Sequence, residues 1–448
     1  MPTAHPVLTA CLPFCRRSGH ANTVTLLMTA VPDDWGELPA ERRYDGRGWC
    51  FFERCVSSLA KRAAHCLDVG RFPKRFDGDF AAKSRDQLAA QAEPRHLLHA
   101  QDTAAAAAPP PPAAAIGLGD HPWLYPSLEG ATPTLTACAT RSRTAPAPPG
   151  APFESLLEAR AFTVEADRHT VAALYERVAR RVLHGSVLLN YNGVQGWAAT
   201  DFAQLGAALG LCKAARTLAM TGMGMDAASV GGFFEALPRG ALPSLVEWDL
   251  WGNALGSDGV GAIATALAGG AVAALETLLL GAAGCGDAGA TALCRAFAHA
   301  PPPALTALDL SNSGLGACGY AALGAALGCG GALPALRALY LGGNPAGPGG
   351  AAALFGALRA ETEPALAHLG LKQNGLIDEG MRAVAEALGG GALPSLRTLS
   401  LSANGASEAT AQLVRETAER RGVTANGLRQ QDGSDAFANV DGYTQWTR

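Results

Sequence analysis

From about residue 184 onward the apolar positions keep a fixed beat. In Leu396-Arg397-Thr398-Leu399-Ser400-Leu401-Ser402-Ala403-Asn404-Gly405-Ala406, leucine takes the first, fourth and sixth places, asparagine the ninth and a small residue the eleventh. Leu399 and Leu401 alternate with polar neighbours, the period of a strand with one buried face. The same register recurs upstream, with the asparagine place at Asn192, Met223, Asn253, Ala283, Ser313, Asn344, Asn374 and Asn404. Read off the numbering, the steps are 31, 30, 30, 30, 31, 30 and 30 residues. After each turn the apolar spacing changes from two to four, as in Gly319, Leu323 and Leu327, which predicts a helix. One such strand-turn-helix unit cannot bury its own apolar face, so the eight units are expected to stack.

Other positions repeat for physical reasons. Pro243, Pro303, Pro334, Pro364 and Pro394 each stand two residues before the first leucine, where they end a helix and set up an extended segment. Gly259, Gly289, Gly319, Gly350 and Gly380 recur at the helix start, and we expect them to let the helix approach the strand layer closely. The asparagine amide can bond backbone groups that the turn leaves unpaired, so Asn192, Asn253, Asn344, Asn374 and Asn404 are structural, and looser turns are expected at Met223, Ala283 and Ser313. Stacks need caps. Val171, Leu174, Tyr175, Val178 and Val182 stripe a helix that suits the N-terminal end, and the polar Arg415, Glu416, Glu419, Arg420 and Arg421 suit the C-terminal one.

The pattern changes before the repeats. Thr23 to Met28 is β-branched and apolar and reads as a buried strand, and Phe52, Cys55, Val56 and Leu59 mark an amphipathic helix beginning near Trp49. Residues 101–150 are dominated by Ala, Pro and Thr and read as a disordered linker, with an island at His121 to Tyr125. The expected organisation is therefore a small α/β region over 1–100, the linker over 101–150, a helical cap over 151–183, the repeats over 184–423 and a tail over 424–448. Phe437, Tyr443 and Trp446 in that tail could fold back.

A period of 30 with a full helix in each unit resembles the ribonuclease-inhibitor-type leucine-rich repeats, also found in Ran GTPase-activating proteins and nucleotide-binding immune receptors. The resemblance covers 184–423. It implies an α/β fold, a horseshoe solenoid of about eight β-α repeats with strands inside and helices outside, whose concave face binds a protein. On that face the middle strand residues would be Leu188, Ala219, Asp249, Leu279, Asp309, Tyr340, Gly370 and Ser400. Those after the second leucine would be Asn190, Thr221, Trp251, Gly281, Ser311, Gly342, Lys372 and Ser402. Trp251 beside Asp249 is the first candidate anchor, followed by Tyr340 and Asp309, with Lys372 in the same wall, because exposed aromatics tend to be hot spots. The other reading is a solvated face of small residues with two incidental aromatics.

Trp49-Cys50-Phe51-Phe52-Glu53, after a buried strand, resembles the W-C-x-x-E segment of TIR domains, and with Arg47 the R-x-W-x-x-x-E segment of heterokaryon-incompatibility-type domains. In NAD-cleaving TIR domains that glutamate contacts the nicotinamide ribose, so the resemblance implies Glu53 as a catalytic candidate. Only 48 residues precede Trp49, too few for a complete TIR nucleotide pocket, so the region is read as a remnant. On the alternative reading Trp49 and Phe52 are core and Glu53 is a solvated helix residue.

Composition narrows the rest. A formal net charge of −4 over 448 residues gives none of the basic excess that nucleic acid or an anionic membrane would ask for. The eleven cysteines are odd in number and without a framework, which suits a reducing compartment, cytoplasmic or nuclear. Pro6 to Cys15 is mildly apolar but lacks a preceding Lys or Arg, unlike a signal peptide, and no run is long enough to span a bilayer. Cys11, Cys15 and His20, or Cys50, Cys55, His65 and Cys66, lack the paired short spacings of a zinc site. Gly222-x-Gly224-x-x-Ala227 mimics a dinucleotide fingerprint but stands in repeat register with Gly252 and Gly343. The expectation is a monomeric scaffold that binds a protein in signalling or sensing, without cofactor or metal and with no nucleic-acid or membrane partner. The alternatives are a TIR-like NAD-cleaving module regulated by the repeats and a Ran-type GTPase-activating scaffold.

Overall fold

The structure is a computed structural model, and it describes residues 25–27, 46–60, 66–68, 143–328, 332–358 and 365–428. The first elements are β1 (Thr25–Leu27), α1 (Gly48–Ala60) and β2 (Cys66–Asp68), with β1 and β2 paired in parallel. Two helices precede the repeats, α2 (Ala151–Glu158) and α3 (Asp167–Gly185). Eight strand-helix units follow: β3 (Leu188–Asn190) and α4 (Ala199–Ala208), β4 (Thr217–Ala219) and α5 (Ala227–Ala236), β5 (Glu247–Asp249) and α6 (Gly256–Ala268), β6 (Thr277–Leu279) and α7 (Gly286–His299). The series continues with β7 (Ala307–Asp309) and α8 (Ala317–Gly328), β8 (Ala338–Tyr340) and α9 (Gly347–Gly356), β9 (His368–Gly370) and α10 (Ile377–Gly389), β10 (Thr398–Ser400) and α11 (Glu408–Arg420). A last strand, β11 (Thr424–Asn426), ends it. Strands β3 to β11 form one nine-stranded parallel sheet in chain order, open at both ends.

One row of side chains explains the stack. Leu189, Leu218, Trp248, Leu278, Leu308, Leu339, Leu369 and Leu399 pair strand to strand in the middle position, and every one is buried. Each such side chain removed from water contributes about 1.5–3 kcal/mol, and the row is continuous because no unit is out of phase. The buried asparagines tie unit to unit. Asn344 Oδ1 accepts from Ser313 N (2.9 Å) and Leu315 N (3.1 Å), while its Nδ2 donates to Leu310 O (2.9 Å) and Leu341 O (2.8 Å). Asn253 and Asn404 repeat this pattern with the preceding unit's turn. Ser313 does part of the same work with longer bonds, accepting from Ala283 N (3.4 Å) and donating to Leu280 O (3.2 Å).

Several expectations need correction. In the first unit Leu189 pairs with Leu218, so Tyr191 fills the second-leucine place and the asparagine place falls on buried Val194. Asn192 is exposed and lies two residues early; its Oδ1 accepts from Thr221 N of the next unit at 2.8 Å, a tie at the sheet surface and not in the buried turn. Leu188, 47% exposed, pairs with Thr217, and Asn190 takes the middle outward place opposite Ala219. The recurring glycines admit neighbouring helix starts more than the strand layer. A Cβ on Gly380 would stand 3.1 Å from Pro348 Cα, and one on Gly289 would stand 3.3 Å from Ser257 Cα, each in the preceding helix start. Thr424–Asn426 is a ninth strand, paired with β10, where a tail was expected.

The N-terminal helix is also placed differently from a separate remnant. Phe51 stacks on Phe153 at 6.0 Å between centroids, and Phe153 stacks on Tyr175 at 3.6 Å, so α1 shares a core with α2 and α3. Trp49 Nε1 donates to Asp167 Oδ2 at 3.1 Å. The extended segment 143–148, expected to be linker, lies along this cap. Its carbonyls at Arg143, Ala145 and Ala147 accept from Trp197 Nε1 (3.0 Å), Gln204 Nε2 (2.8 Å) and the Tyr175 hydroxyl (2.8 Å). Arg143 donates from Nε to Ser58 O (3.1 Å), also to Asn190 O, and lies 4.0 Å over the Tyr191 ring. Residues 101–142, with the His121 to Tyr125 island, and the aromatic residues after 428 fall outside the described residues.

Candidate protein-binding face

Alternation along each three-residue strand buries its middle residue toward the helices and turns the first and third the other way. The residue two places further on continues that outward column. The helix-free face is thus three residues wide, and its first column, which contains Glu247 and His368, adds to the two columns expected from the sequence. Strict period-two alternation would have shown it.

Trp251 is the most exposed aromatic of this face, at 39%. Its position is fixed from below and beside. Its backbone N–H donates to Asp249 Oδ1 at 2.9 Å, and Asp249 Oδ2 accepts from the Thr221 hydroxyl at 2.6 Å. Its indole lies across Gly281 of the next strand unit: a Cβ there would stand 2.3 Å from Cδ1 and 2.4 Å from Nε1. The same point lies 3.2 Å from Asp309 Oδ2, so the ring bridges toward the carboxylate of a third unit. Tyr340 leans likewise on Gly370, with its Cδ1 3.4 Å from where a Cβ would be.

Asp309 is only 3% exposed, which removes it as an exposed anchor. The indole over Gly281 and the neighbouring strands cover it, and Ser311 N donates to its Oδ1 at 2.7 Å. Burial pushes its carboxyl above the usual value, the Ser311 hydrogen bonds pull it back in part, and the Asp249 charge pushes it further up. Glu247 is raised as well, first by burial and then by the charge of Asp249 on the same strand. No ion pair among the described residues engages Glu247, Asp249 or Asp309.

Lys372 and His368 continue the outward register of β9, whereas Arg216, Arg337 and Arg397 precede β4, β8 and β10 in the register of the buried leucines. In the outward columns charge is therefore sorted along the stack, acidic on β5 and β7 and basic at β9. Glu53, the catalytic candidate, lies half-buried in α1, far in sequence from this face, and burial raises its carboxyl above the ordinary range. The candidate group Cys11, Cys15 and His20 lies outside the described residues, and none of the described residues form a His/Cys/Asp/Glu group able to hold a metal. No described helix is long and apolar enough to cross a membrane.

A family model described as "Leucine Rich repeat" matches residues 241–264, the strand, turn and helix start that carry Trp248, Trp251 and Asn253. No curated protein matches the chain in sequence. Among solved structures, "Leiomodin-1 Actin-Binding Site 2 (ABS2)" is similar at 14% identity and a TM-score of 0.26, over 37% of this chain and 88% of that one. With the matched unit recurring along a nine-stranded open parallel sheet, the chain carries an α/β leucine-rich repeat solenoid.

Proposed function

We propose that the helix-free face is the recognition surface of a protein-interaction scaffold, centred on Trp251, that serves in signalling or sensing. The observation that carries this is the posture of Trp251. A large apolar ring stays 39% exposed while its backbone, its neighbour Asp249 and the gap at Gly281 hold it in one place. Such a ring loses little freedom on binding, and rigid exposed aromatics are where binding energy concentrates. Tyr340 gives a second contact three units along the sheet. The NAD-cleaving and Ran-type alternatives rest on resemblance, and the geometry adds no observation in favour of either.

Partner capture by the full chain tests the proposal. Trp251→Ala/Tyr340→Ala should lose the proteins that the wild type retains while keeping its circular dichroism spectrum. Retention of every captured protein by the double variant would move recognition off this face.

A further inference from the structure

Resting on that reading, we infer that the Trp251 end of the face takes a cationic side chain, an arginine or lysine in an extended segment of the partner protein. The chemistry follows from what surrounds the ring. Glu247 and Asp249 on β5 precede Trp251 in the same outward register, and Asp249 and Asp309 share a column two strands apart, about 10 Å at ordinary strand spacing. No cation among the described residues pairs with any of the three. Glu247 and Asp309 hold their protons more tightly than usual, in part because of the Asp249 charge. An incoming cation relieves that repulsion, and its arrival over the indole adds the attraction of a positive group for a ring face.

The position along the stack is selective. In the outward columns of the described residues the basic side chains are His368 and Lys372, on and just after β9, so a cationic segment is repelled there and drawn to β5–β7, while Arg216, Arg337 and Arg397 precede their strands in the inward register. The Gly281 gap matters for the same reason. It lets the indole lie across the sheet, where a guanidinium can stack on it, without a side chain beneath to tilt it.

The experiment uses labelled Gly-Arg, Gly-Gln and Gly-Glu repeat peptides of about ten residues, long enough to cross several strands. Fluorescence anisotropy of the full chain is read at about 0.15 M ionic strength, where distant charges are screened. The Gly-Arg probe should bind about tenfold or more tightly than the Gly-Gln probe, and Trp251→Ala and Glu247→Gln/Asp249→Asn should each weaken it about tenfold. Leu413→Ala, exposed on helix α11 away from this face, should leave it unchanged. In the isosteric pair, the Asp249→Asn side chain keeps the bond from Trp251 N on its Oδ1, and its Nδ2 donates to the Thr221 hydroxyl in place of the bond Asp249 accepted, so folding is preserved. Equal binding of Gly-Arg by wild type and Glu247→Gln/Asp249→Asn, or preference for Gly-Glu, would overturn the inference. Partner capture separates this failure from that of the broader proposal. Capture lost in Trp251→Ala but kept in Glu247→Gln/Asp249→Asn removes the cation and leaves the face. Capture kept in Trp251→Ala/Tyr340→Ala removes the face itself.

Discussion

Replacing Asn344 by alanine should be among the most damaging single changes in the stack. The side chain makes four hydrogen bonds, to Ser313 N, Leu315 N, Leu310 O and Leu341 O, all within 3.1 Å and all buried. Alanine orphans two amides of one unit's turn and two carbonyls of adjacent strands. At about 1 kcal/mol of net stability for each bond the loss is about 4 kcal/mol, a large fraction of the 5–15 kcal/mol typical of a folded domain. Asn344→Ser should recover about half of that, because Ser313 shows a hydroxyl in the equivalent place making some of the same bonds. Asn192→Ala, although it fits the same sequence pattern, should cost only about 1 kcal/mol, since it loses one exposed bond from Thr221 N that water can replace. Urea unfolding followed by far-ultraviolet circular dichroism measures all three, with slope as well as midpoint read because stacks can unfold unit by unit. An Asn344→Ala loss below about 1 kcal/mol, or an Asn192→Ala loss equal to it, would refute both the ladder and the corrected register.

Other outcomes follow from the same geometry. Gly281→Ala places a Cβ where the indole now lies, so Trp251 fluorescence should shift and partner or Gly-Arg binding fall while the melting temperature holds; unchanged binding would show that the ring's posture is irrelevant. Asp309→Asn should raise stability at pH 7. The folded carboxyl holds its proton more tightly than the usual 3.8, so wild-type stability is full below that value and falls as pH rises through the folded one. The advantage of the asparagine should fade as pH drops below 3.8, and an advantage independent of pH in thermal melts would contradict the cause. Burial pushes Cys285 up to about 11 and Cys212 and Cys294 up to about 12, so alkylation at pH 7.5 followed by peptide mass spectrometry should modify exposed Cys318 well before those three. Faster modification of Cys294 than of Cys318 would show that the helix layer opens readily.

Most of the repeat layer was legible because its signal is local. The leucine row and the buried asparagines recur within one short window, and each window alone predicts a strand and a turn. The first unit misled for a local reason as well. Tyr191 occupies a leucine place, while Asn192 imitates the asparagine two residues before buried Val194. The end cap was hidden because its contacts span long separations, such as Arg143 to Ser58 across 85 residues, which no periodicity reports. Thr424–Asn426 carries no leucine, so nothing marked it as a strand before its pairing with β10 was seen. At the candidate site, Trp251 and Asp249 were readable from alternation. The burial of Asp309 was not, because it depends on a ring from two strands away lying over a glycine.

Photo-cross-linking from position 251 tests the recognition surface most directly. With Trp251 replaced by a benzophenone-bearing phenylalanine, irradiation in an extract of the source cell should give protein adducts. The same group at Arg295, exposed on helix α7 on the opposite side of the sheet, should give none of them. Shared adducts from both positions, or adducts only from 295, would contradict recognition at the helix-free face.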